Sequence, residues 1–534
     1  TTLAQETIPS DSKKELLAPP AKFDSLEEHI ETTIVSSLET ILKVSKQEIQ
    51  TTESFVDYGL DSILGLSFVE QINELLGITL NPTCIFDCSS VERLSAHILS
   101  DYQAQIQCLS APEPMHPAAQ EYAQNVQPSE INSEQPHDAK QEIAIIGMSG
   151  QASGAKNLDE LWRLLSSGTI ATGEINADLV ASYGGKSTFF GGVLENRDKF
   201  DSLFFNIAPL EAGDMNPHQR LVMQEAWSAI EYAGYNPKIL ALSRTGIYVG
   251  AEPVGRSSAS VTGGSEAIIA SRLSYFLNLS GPALVVNTGC SSSGVAIHLA
   301  CESLRHNETD LALAVGVFAN WAPSLDSVVG GAGMVSQSGH CKTFDAAADG
   351  TILAEGIGVL VLKRLCDAQQ YKDIIHAVIS ASGMNQDGAS NGITAPSGQA
   401  QEKLICDVYQ KFSIDPNNIK YVEAHGTGTS LGDPIEVNAL VKAFGHFTKQ
   451  RSYCAIGSAK PQIGHAAAAS GVMGVLKSVL SIRHQTSLKL AGFNRLNPLI
   501  ELANSPFYIA TEDEPWLPCD TPRMIAINSF GHSG

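Results

Sequence analysis

A short stretch in the middle of the chain, P-A-L-V-V-N-T-G-C-S-S-S-G at residues 282–294, most constrains what the protein can fold into. Its first residues are small, apolar and β-branched, which predicts a buried strand. After Gly289 three apolar residues recur at roughly helical spacing, Val295, Leu299 and Leu304. Cys290 is therefore expected at a strand-to-helix turn, where the helix dipole favours the thiolate and lowers a thiol pKa from about 8.5. A buried structural cysteine is the simpler interpretation of this residue taken alone.

Two histidine motifs further along the chain favour a catalytic cysteine instead. They are H-G-T-G-T at residues 425–429 and G-S-A-K-P-Q-I-G-H at residues 457–465. A papain-like protease also combines cysteine with histidine, but its local cysteine signature is absent. No carboxylate–histidine cluster has the spacing of metal ligands, so no metal site is predicted.

Composition and charge exclude several classes of protein. A chain of 534 residues is too long for one core and predicts at least two domains. Its net charge of −23 argues against a nucleic-acid partner. The N-terminus lacks the pattern of a signal peptide, and the apolar run at residues 466–476 is shorter than the roughly 20 residues of a membrane span. Ten cysteines without a paired framework fit a reducing cytoplasm, so a cytoplasmic protein without membrane contact is predicted.

The first quarter of the chain is strongly acidic and has helical periodicity. Residues 1–139 contain 6 Lys/Arg against 22 Asp/Glu. Residues 1–22 are polar and are interpreted as a linker, and residues 23–103 as a small helical bundle. Three helices are predicted from capping pairs and apolar spacing: Ser25, Leu26, Glu28, Ile30, Ile34, Leu38 and Ile41; then Leu66, Val69, Ile72 and Leu76; then a short one opened by Ser89 and Glu92 and ending near Ser100.

Residues 104–140 are interpreted as a flexible linker rich in Pro, Gln and Glu. Residues 111–139 contain five prolines and no Lys or Arg. Such a tether lets the bundle swing and makes its delivery to a neighbouring domain intramolecular.

From residue 141 to residue 534 strands and helices alternate, which predicts an α/β domain with a buried sheet. I-A-I-I-G-M-S-G at 143–150 is expected to be a buried strand followed by a glycine turn, and 157–168 a helix. A dinucleotide site is set aside because Gly147, Gly150 and Gly154 do not form G-x-G-x-x-G.

The acidic bundle resembles an acyl carrier protein through G-L-D-S-I at residues 59–63. The resemblance implies that Ser62 carries 4′-phosphopantetheine, attached by a phosphopantetheinyl transferase. A phosphodiester anion at a helix start is favoured by the helix dipole. Glu70 and Glu74 would steer the bundle toward basic patches of client enzymes. Taken alone, Asp-Ser is an ordinary helix cap.

The larger domain resembles the β-ketoacyl synthase domain of modular type I polyketide synthases, through the cysteine turn and both histidine motifs in their order. The K-P-Q-I-G-H form is similar to the assembly lines served by a free-standing acyltransferase. The fold class implied is a small all-α acyl-carrier helical bundle joined to an α/β thiolase-like ketosynthase, which usually dimerises. The implied substrates are acyl and malonyl-type thioesters on carrier proteins.

The resemblance assigns a role to each motif residue in a decarboxylative Claisen condensation. Cys290 would hold the acyl chain, and His425 and His465 would stabilise the enolate left by loss of carbon dioxide. Lys460 would complete their electrostatic network. Pantetheine binding falls to Thr427 and Thr429, and the oxyanion hole to the backbone amides of Cys290 and His532.

Several positions depart from the family pattern. Asn287 and Gly289 replace the acid and the alanine of D-T-A-C-S-S-S, and Gly294 replaces a larger apolar residue. His532 stands where a phenylalanine or a small residue is common. The ketosynthase is expected to be truncated, because the sequence stops at Gly534 before the expected T-N-A-H. Pocket shape and acyl substrate stay open.

Two alternative functions remain open at this level. One is a ketosynthase that transfers acyl groups without elongating them, although such members typically lose the histidine of H-G-T-G-T. The other is a non-catalytic docking scaffold in which only the carrier is modified.

Overall fold

We analysed a computed structural model, which describes residues 26–58, 60, 62–82, 84–107, 141–175, 190–253, 260–319, 334–390, 392–517 and 521–532. The chain divides into two compact units, a helical N-terminal unit and a larger α/β unit. Both predicted linkers lie outside the described residues, except for residues 104–107, and so do residues 23–25 of the predicted bundle. Among the described residues, no helix combines the length and the apolar character needed to cross a membrane.

The N-terminal part of the chain is helical, as predicted. Its helices are α1 (Leu26–Leu42), α2 (Ser62–Leu76), α3 (Cys84–Asp87) and α4 (Val91–Gln107), with a 3₁₀ turn at Phe55–Tyr58. Helix α1 packs on α2 and α4. Its buried stripe is Ile30, Ile34 and Leu38, the spacing that predicted the helix.

Two details of the helical bundle differ from the sequence prediction. Helix α4 continues to Gln107, beyond the expected end near Ser100 and beyond the expected domain limit at residue 103. Its cap is Ser90 rather than Ser89, because the Oγ of Ser90 accepts the N–H of Arg93 at 3.3 Å. Ser25, the predicted cap of α1, lies outside the described residues.

The α/β unit contains the remaining elements. Its strands are β1 (Ile143–Ala152), β2 (Gly173–Glu174), β3 (Phe190–Gly191), β4 (Thr245–Ala251), β5 (Ala283–Val286), β6 (Leu311–Phe318), β7 (Gly356–Arg364), β8 (Ala377–Ile379), β9 (Ile419–Glu423), β10 (Cys454–Gly457), β11 (Thr486–Ser487), β12 (Phe507–Ile509), β13 (Glu514–Pro515) and β14 (Met524–Ile527). Its helices are α5 (Leu158–Ser167), α6 (Pro209–Asp214), α7 (Pro217–Tyr232), α8 (Val261–Gly264), α9 (Ala267–Leu277), α10 (Ser292–Arg305), α11 (Leu365–Tyr371), α12 (Gly398–Phe412), α13 (Gly432–Gly445), α14 (Lys460–Ile463) and α15 (Ser470–His484). Short 3₁₀ turns lie at Pro237–Leu242, Pro416–Asn418 and Ala467–Ala469.

Two main sheets form the frame of this unit. The first has the strand order β5-β4-β6-β7-β1-β8, with β5, β4 and β6 parallel and the remaining pairs antiparallel. The second has the order β12-β10-β9-β14 and is parallel throughout. Helix α15 contacts β7 of the first sheet and β14 of the second, so it lies between them.

Alternation along β1 explains how the first sheet is covered on both faces. Ala144 and Ile146 enter the core that includes α7 and α9, whereas Ile143, Ile145 and Met148 enter the core that includes α10 and α15. The strand continues to Ala152 after a register shift between Ile145 and Gly147, so the expected glycine turn is wrong and the glycines belong to the strand.

Strand β5 is less buried than the sequence predicted. It is the last strand at one edge of the first sheet, and the side chain of Leu284 is 45% exposed. Its apolar run predicts a buried strand, but periodicity does not distinguish a central strand from an edge strand. The edge leaves its outer backbone groups unpaired within the described sheet.

Candidate active site

The cysteine turn is held by hydrogen bonds between β5 and α10. The Oδ1 of Asn287 accepts the N–H of Gly289 at 3.1 Å, and the Oγ of Ser292 accepts the N–H of Thr288 at 2.9 Å. Gly289 has a φ of +63°, a conformation that favours glycine. Asn287 therefore keeps the acceptor that an aspartate would supply, without its charge.

Close packing against β4 of the first sheet fixes the position of this turn. A Cβ on Gly250 of β4 would lie 2.4 Å from the backbone of Ser292 and Ser293, in the first turn of α10. Only glycine allows that approach. Cys290 is thereby placed just before the start of α10, as the sequence predicted.

The electrostatics of the thiol differ from the sequence prediction. Burial, with a smaller contribution from the carboxylate of Glu252, raises the pKa of Cys290 to about 12, and Lys460 opposes the rise. The expected lowering of the Cys290 pKa is therefore wrong for this state, because the loss of water around the thiolate is the largest influence on this pKa. Burial also raises the pKa of Glu252, whose Oε1 has no hydrogen-bond partner among the described residues.

Two imidazoles from distant parts of the sequence meet at the end of the second sheet. His425 follows β9 and His465 follows α14, and their ring centroids are 5.4 Å apart with the planes nearly perpendicular. The backbone N–H of Phe530 points at Nδ1 of His425, 3.4 Å away. Nδ1 of His465 lies 2.8 Å from the Oγ of Ser470.

The surroundings of both rings favour their neutral form. Burial lowers the pKa of His425 well below its usual value, and the charges of Lys460 and His465 lower it further. Burial, Lys460 and His532 do the same for the pKa of His465. In a neutral imidazole whose Nδ1 accepts a hydrogen bond, Nε2 carries the proton and can donate.

Two buried carboxylates of α13 hold the H-G-T-G-T loop through its backbone. Glu436 accepts the N–H groups of His425 and Gly426 at 2.7 and 2.8 Å, and Asp433 accepts that of Gly428 at 3.0 Å. Burial raises the pKa of both carboxyls, that of Asp433 to about 7. Neither residue is among those predicted from the sequence. The sequence signal for Asp433 and Glu436 is G-D-P-I-E at residues 432–436, which places two acidic residues three positions apart at the start of a helix.

Lys460 ties the two histidine motifs together. Its Nζ donates to the backbone carbonyl of His425. Burial lowers the pKa of this lysine, whereas the carboxylates of Glu423 and Glu436 oppose the shift.

The segment after β14 joins the cysteine turn to the histidines. The Oγ of Ser529 donates to the carbonyl of Cys290 at 3.3 Å, and Phe530 next to it contacts His425. The N–H of Asn528 donates to the carbonyl of Glu423 at 2.9 Å. The short segment at residues 528–530 therefore contacts both Cys290 and His425, one member of the histidine pair.

The other predicted site residues lie as follows. The Oγ1 atoms of Thr427 and Thr429 are 3.1 Å apart, and both residues are half-buried. Helix α2 begins at Ser62, and its Glu70 and Glu74 are exposed. Over the described ranges, no group of three or more His, Cys, Asp or Glu side chains could hold a metal ion.

An ion pair buried beneath the site gives a stability prediction. The Nζ of Lys477 on α15 donates to Glu423 at 2.7 Å and to the hydroxyl of Tyr421 at 2.8 Å, and both charged side chains are less than 5% exposed. Lys477→Met leaves the Glu423 carboxylate without its counter-charge, so we expect a loss of about 3–5 kcal/mol in the free energy of unfolding. Urea unfolding followed by tryptophan fluorescence measures it.

The matched control is Lys403→Met, because Lys403 forms an exposed pair with Asp407. Exposed pairs contribute little to stability. Equal losses in the two variants would show that the buried pair does not hold the site to α15.

Three family models match the chain. They are the "Beta-ketoacyl synthase, N-terminal domain" at residues 140–368, the "Beta-ketoacyl synthase, C-terminal domain" at residues 376–494, and the "Phosphopantetheine attachment site" at residues 32–98. The third match covers the helical bundle and includes Ser62.

Curated relatives and solved structures agree with these matches. Polyketide synthase PksL of Bacillus subtilis is 38% identical over 95% of this chain and 12% of its own length. Polyketide synthase ThaG of Burkholderia thailandensis is 37% identical over 90% of this chain and 10% of its own. The chain thus spans about a tenth of the length of these relatives.

The ketosynthase from module 6 of the bacillaene synthase of Bacillus subtilis superposes with a TM-score of 0.71 at 44% identity, covering 74% of this chain and 70% of that one. A Streptomyces albus oxazolomycin ketosynthase domain gives a TM-score of 0.69 at 34% identity, covering 74% and 73%. These neighbours confirm the thiolase-like fold class. The chain therefore belongs to the β-ketoacyl synthase family of polyketide synthases, with a phosphopantetheine-attachment domain preceding the synthase.

Proposed function

We propose that this chain is an acyl carrier–ketosynthase pair that extends a carrier-bound acyl chain by decarboxylative Claisen condensation. The observation that carries the proposal is the pair of imidazoles with centroids 5.4 Å apart, joined through Ser529 and Phe530 to a cysteine at a helix start. The family assignment supports the same reaction type.

The first step loads Cys290. Its thiol sulfur attacks the carbonyl of an acyl-pantetheine thioester, the old C–S bond breaks, and the pantetheine sulfur takes up a proton equivalent to the one that Cys290 loses. The step is neutral overall, so a protonated resting thiol with a raised pKa is compatible with it. The backbone amides of Cys290 and His532 are assigned to the oxyanion of the tetrahedral intermediate.

The second step uses the two imidazoles. The carboxylate of a malonyl-type thioester leaves as carbon dioxide, and its bonding electrons form an enolate. We assign the Nε2–H groups of His425 and His465 as donors to the enolate oxygen. The enolate carbon then attacks the acyl carbonyl on Cys290, the C–S bond breaks, and the Cys290 sulfur takes up a proton. Neutral rings suit this role because their N–H is a weak acid, which donates a hydrogen bond to the enolate oxygen without protonating it.

Lys460 and the two threonines support these steps. Burial lowers the pKa of both imidazoles and the Lys460 ammonium lowers it further, which favours their neutral form. The hydroxyls of Thr427 and Thr429 face each other in the histidine loop, where they can bind the amides of a pantetheine arm.

In the carrier half, Ser62 is assigned as the attachment site of the phosphopantetheine arm. The arm supplies a flexible thiol that carries the acyl group as a thioester. The start of α2 at Ser62 fits a phosphodiester, because the first turn of a helix favours an anion. The exposed Glu70 and Glu74 fit docking of this helix to basic partner surfaces, including a phosphopantetheinyl transferase.

The wider setting is part of the same proposal. A free-standing acyltransferase would load the malonyl-type extender on a carrier outside this chain. A homodimer through the exposed edge strand β5 is supported by its half-exposed side chains. A cytoplasmic location stays a prediction from the sequence.

Intact-protein mass spectrometry tests the proposal. The chain is treated with a phosphopantetheinyl transferase and coenzyme A, then with an acyl-pantetheine thioester and a malonyl carrier. We expect one phosphopantetheine on the carrier, one acyl group on Cys290 and a lengthened product. Ser62→Ala should prevent the carrier modification and leave Cys290 acylation by the small thioester unchanged. Acylation without a lengthened product would support acyl transfer alone, and no acylation would support a docking scaffold.

A further inference from the structure

Ser470 is the first residue of α15, and its side chain contacts His465 of the histidine pair. The Oγ of Ser470 lies 2.8 Å from Nδ1 of His465. Ser478, a buried serine further along the same helix, instead donates to the carbonyl of Gly474, one turn before it, at 2.7 Å. Within the described part of the chain, the hydroxyl of Ser470 forms its hydrogen bond with the imidazole alone. Its side chain therefore serves the candidate active site rather than its own helix.

The direction of this hydrogen bond decides what His465 can offer to a substrate. If the hydroxyl donates to Nδ1, the ring proton is on Nε2, which then acts as a donor. If Nδ1 donates to the hydroxyl, Nε2 is an acceptor and repels the oxygen of an enolate. The backbone of His465 is fixed separately, because its N–H donates to the carbonyl of Ile352 at 2.7 Å and its carbonyl accepts the N–H of Ala354 at 3.0 Å. The contact with Ser470 therefore acts on the tautomer of the ring.

The other ring of the pair has a partner that can only donate. Nδ1 of His425 faces the backbone N–H of Phe530, and a backbone N–H has no lone pair to accept a proton from the ring. This contact favours the proton on Nε2 of His425 without help from a side chain. His465 has a hydroxyl in the corresponding place, so its tautomer depends on how that hydroxyl is oriented.

Lys460 favours the orientation in which Ser470 donates. Both residues line one cavity of about 10 Å³, which Glu423 also lines. A cavity of this volume holds about one water molecule, so little solvent separates the charge of Lys460 from the hydroxyl. The carboxylate of Glu423 is paired with Lys477 at 2.7 Å, which offsets its own charge. A positive charge attracts the oxygen end of a hydroxyl dipole and turns the proton away from itself, here toward the imidazole.

We propose that Ser470 is a positioning residue for the condensation: its hydroxyl donates to Nδ1 of His465 and holds the tautomer that presents Nε2–H to the enolate oxygen. The inference rests on the proposed function and adds to it a residue that acts through His465 without touching the substrate. A neutral hydrogen bond of this kind shifts an equilibrium by up to about tenfold.

Matched substitutions test the hydroxyl itself. Valine and threonine have nearly the same shape, but only threonine has a hydroxyl. We expect Ser470→Val to lower kcat for product formation by about threefold to tenfold, with little change in KM or in the rate of Cys290 acylation. Ser470→Thr adds the same bulk and should recover most of the lost rate. Intact-protein mass spectrometry and product analysis measure the two steps, and equal kcat values for Ser470→Val and Ser470→Thr would overturn the inference.

A smaller substitution tests the same point without added bulk. Ser470→Ala should lose as much kcat as Ser470→Val. Its control is Ser478→Ala, because the hydroxyl of Ser478 is buried on the same helix and bonds to the helix backbone. Ser478→Ala should keep the original kcat. Equal losses of kcat in Ser470→Ala and Ser478→Ala would contradict a specific role for Ser470.

A double-mutant cycle with His465→Gln separates positioning from a structural role. A glutamine side chain has an N–H donor but no tautomers, so the hydroxyl of Ser470 has no ring proton to direct. Ser470→Ala should therefore lower kcat in the original chain and change it by less than about twofold in the His465→Gln background. The same loss in both backgrounds would mean that Ser470 only supports the structure, and the inference would be wrong.

The outcomes separate this inference from the proposed function. A lengthened product that forms in the original chain, at a rate that neither Ser470→Ala nor Ser470→Val lowers, would overturn the inference alone. The absence of a lengthened product in the original chain would overturn both.

Discussion

Cys290→Ala should take up no acyl group on its ketosynthase and should form no lengthened product. The physical reason is that the thioester bond to the enzyme requires a sulfur at the start of α10, and water cannot hold the acyl chain in its place. Loss of the covalent intermediate should lower condensation by more than about a thousandfold, since the remaining groups only orient the two thioesters. Intact-mass spectrometry and product analysis measure both steps.

Cys366→Ala is the matched control, because Cys366 is an exposed cysteine on α11. It should keep both steps. A Cys290→Ala protein that still formed a lengthened product at the original rate would end the assignment of the nucleophile.

The pH dependence of Cys290 alkylation follows from the same environment. An ordinary thiol with a pKa near 8.5 reaches its full reactivity by about pH 10. Burial raises the pKa of the Cys290 thiol to about 12, so its thiolate fraction still increases tenfold for each pH unit between 7 and 10. Iodoacetamide labelling of Cys290 should therefore rise through this range without a plateau. A plateau near pH 8 would mean that the helix dipole outweighs burial.

Local sequence patterns predicted the helices and turns whose limits are set by residues adjacent in the sequence. The limits of helix α5 could be predicted from its two caps. The side chain of Asn157 accepts the N–H of Glu160, and Gly168 ends the helix with a φ of 73°. The strand-to-helix turn at Cys290 could be predicted because small apolar residues, a glycine and a helical repeat follow one another. These patterns depend on neighbours in sequence and are visible in it.

Features that depend on distant contacts could not be predicted in this way. The half-exposure of β5 follows from its place at a sheet edge, which no local pattern encodes. The raised pKa of Cys290 comes from its burial and, to a smaller extent, from Glu252, which directly follows β4. Asp433 and Glu436 act on the backbone of a loop that precedes them, so their role appears only once α13 is packed against it.

The largest expected effect on condensation alone comes from the histidine pair. His425→Ala and His465→Ala should each lower the rate of product formation about 10²–10³-fold, the usual cost of removing one donor to a developing oxyanion. Acylation of Cys290 should remain within a few-fold of the original rate, because no enolate forms in that step. The combined variant should lose less than the product of the two losses, since both donors serve one oxygen.

Rescue and control variants make this prediction specific. His465→Gln keeps an N–H donor and should recover part of the lost rate in kcat, with little change in KM. His446→Ala should change neither step, because His446 is 60% exposed and paired with Glu402 on the surface. If His425→Ala or His465→Ala reduced acylation and condensation equally, the imidazoles would be acting on Cys290 itself, and the assignment of the pair to the enolate oxygen would be wrong.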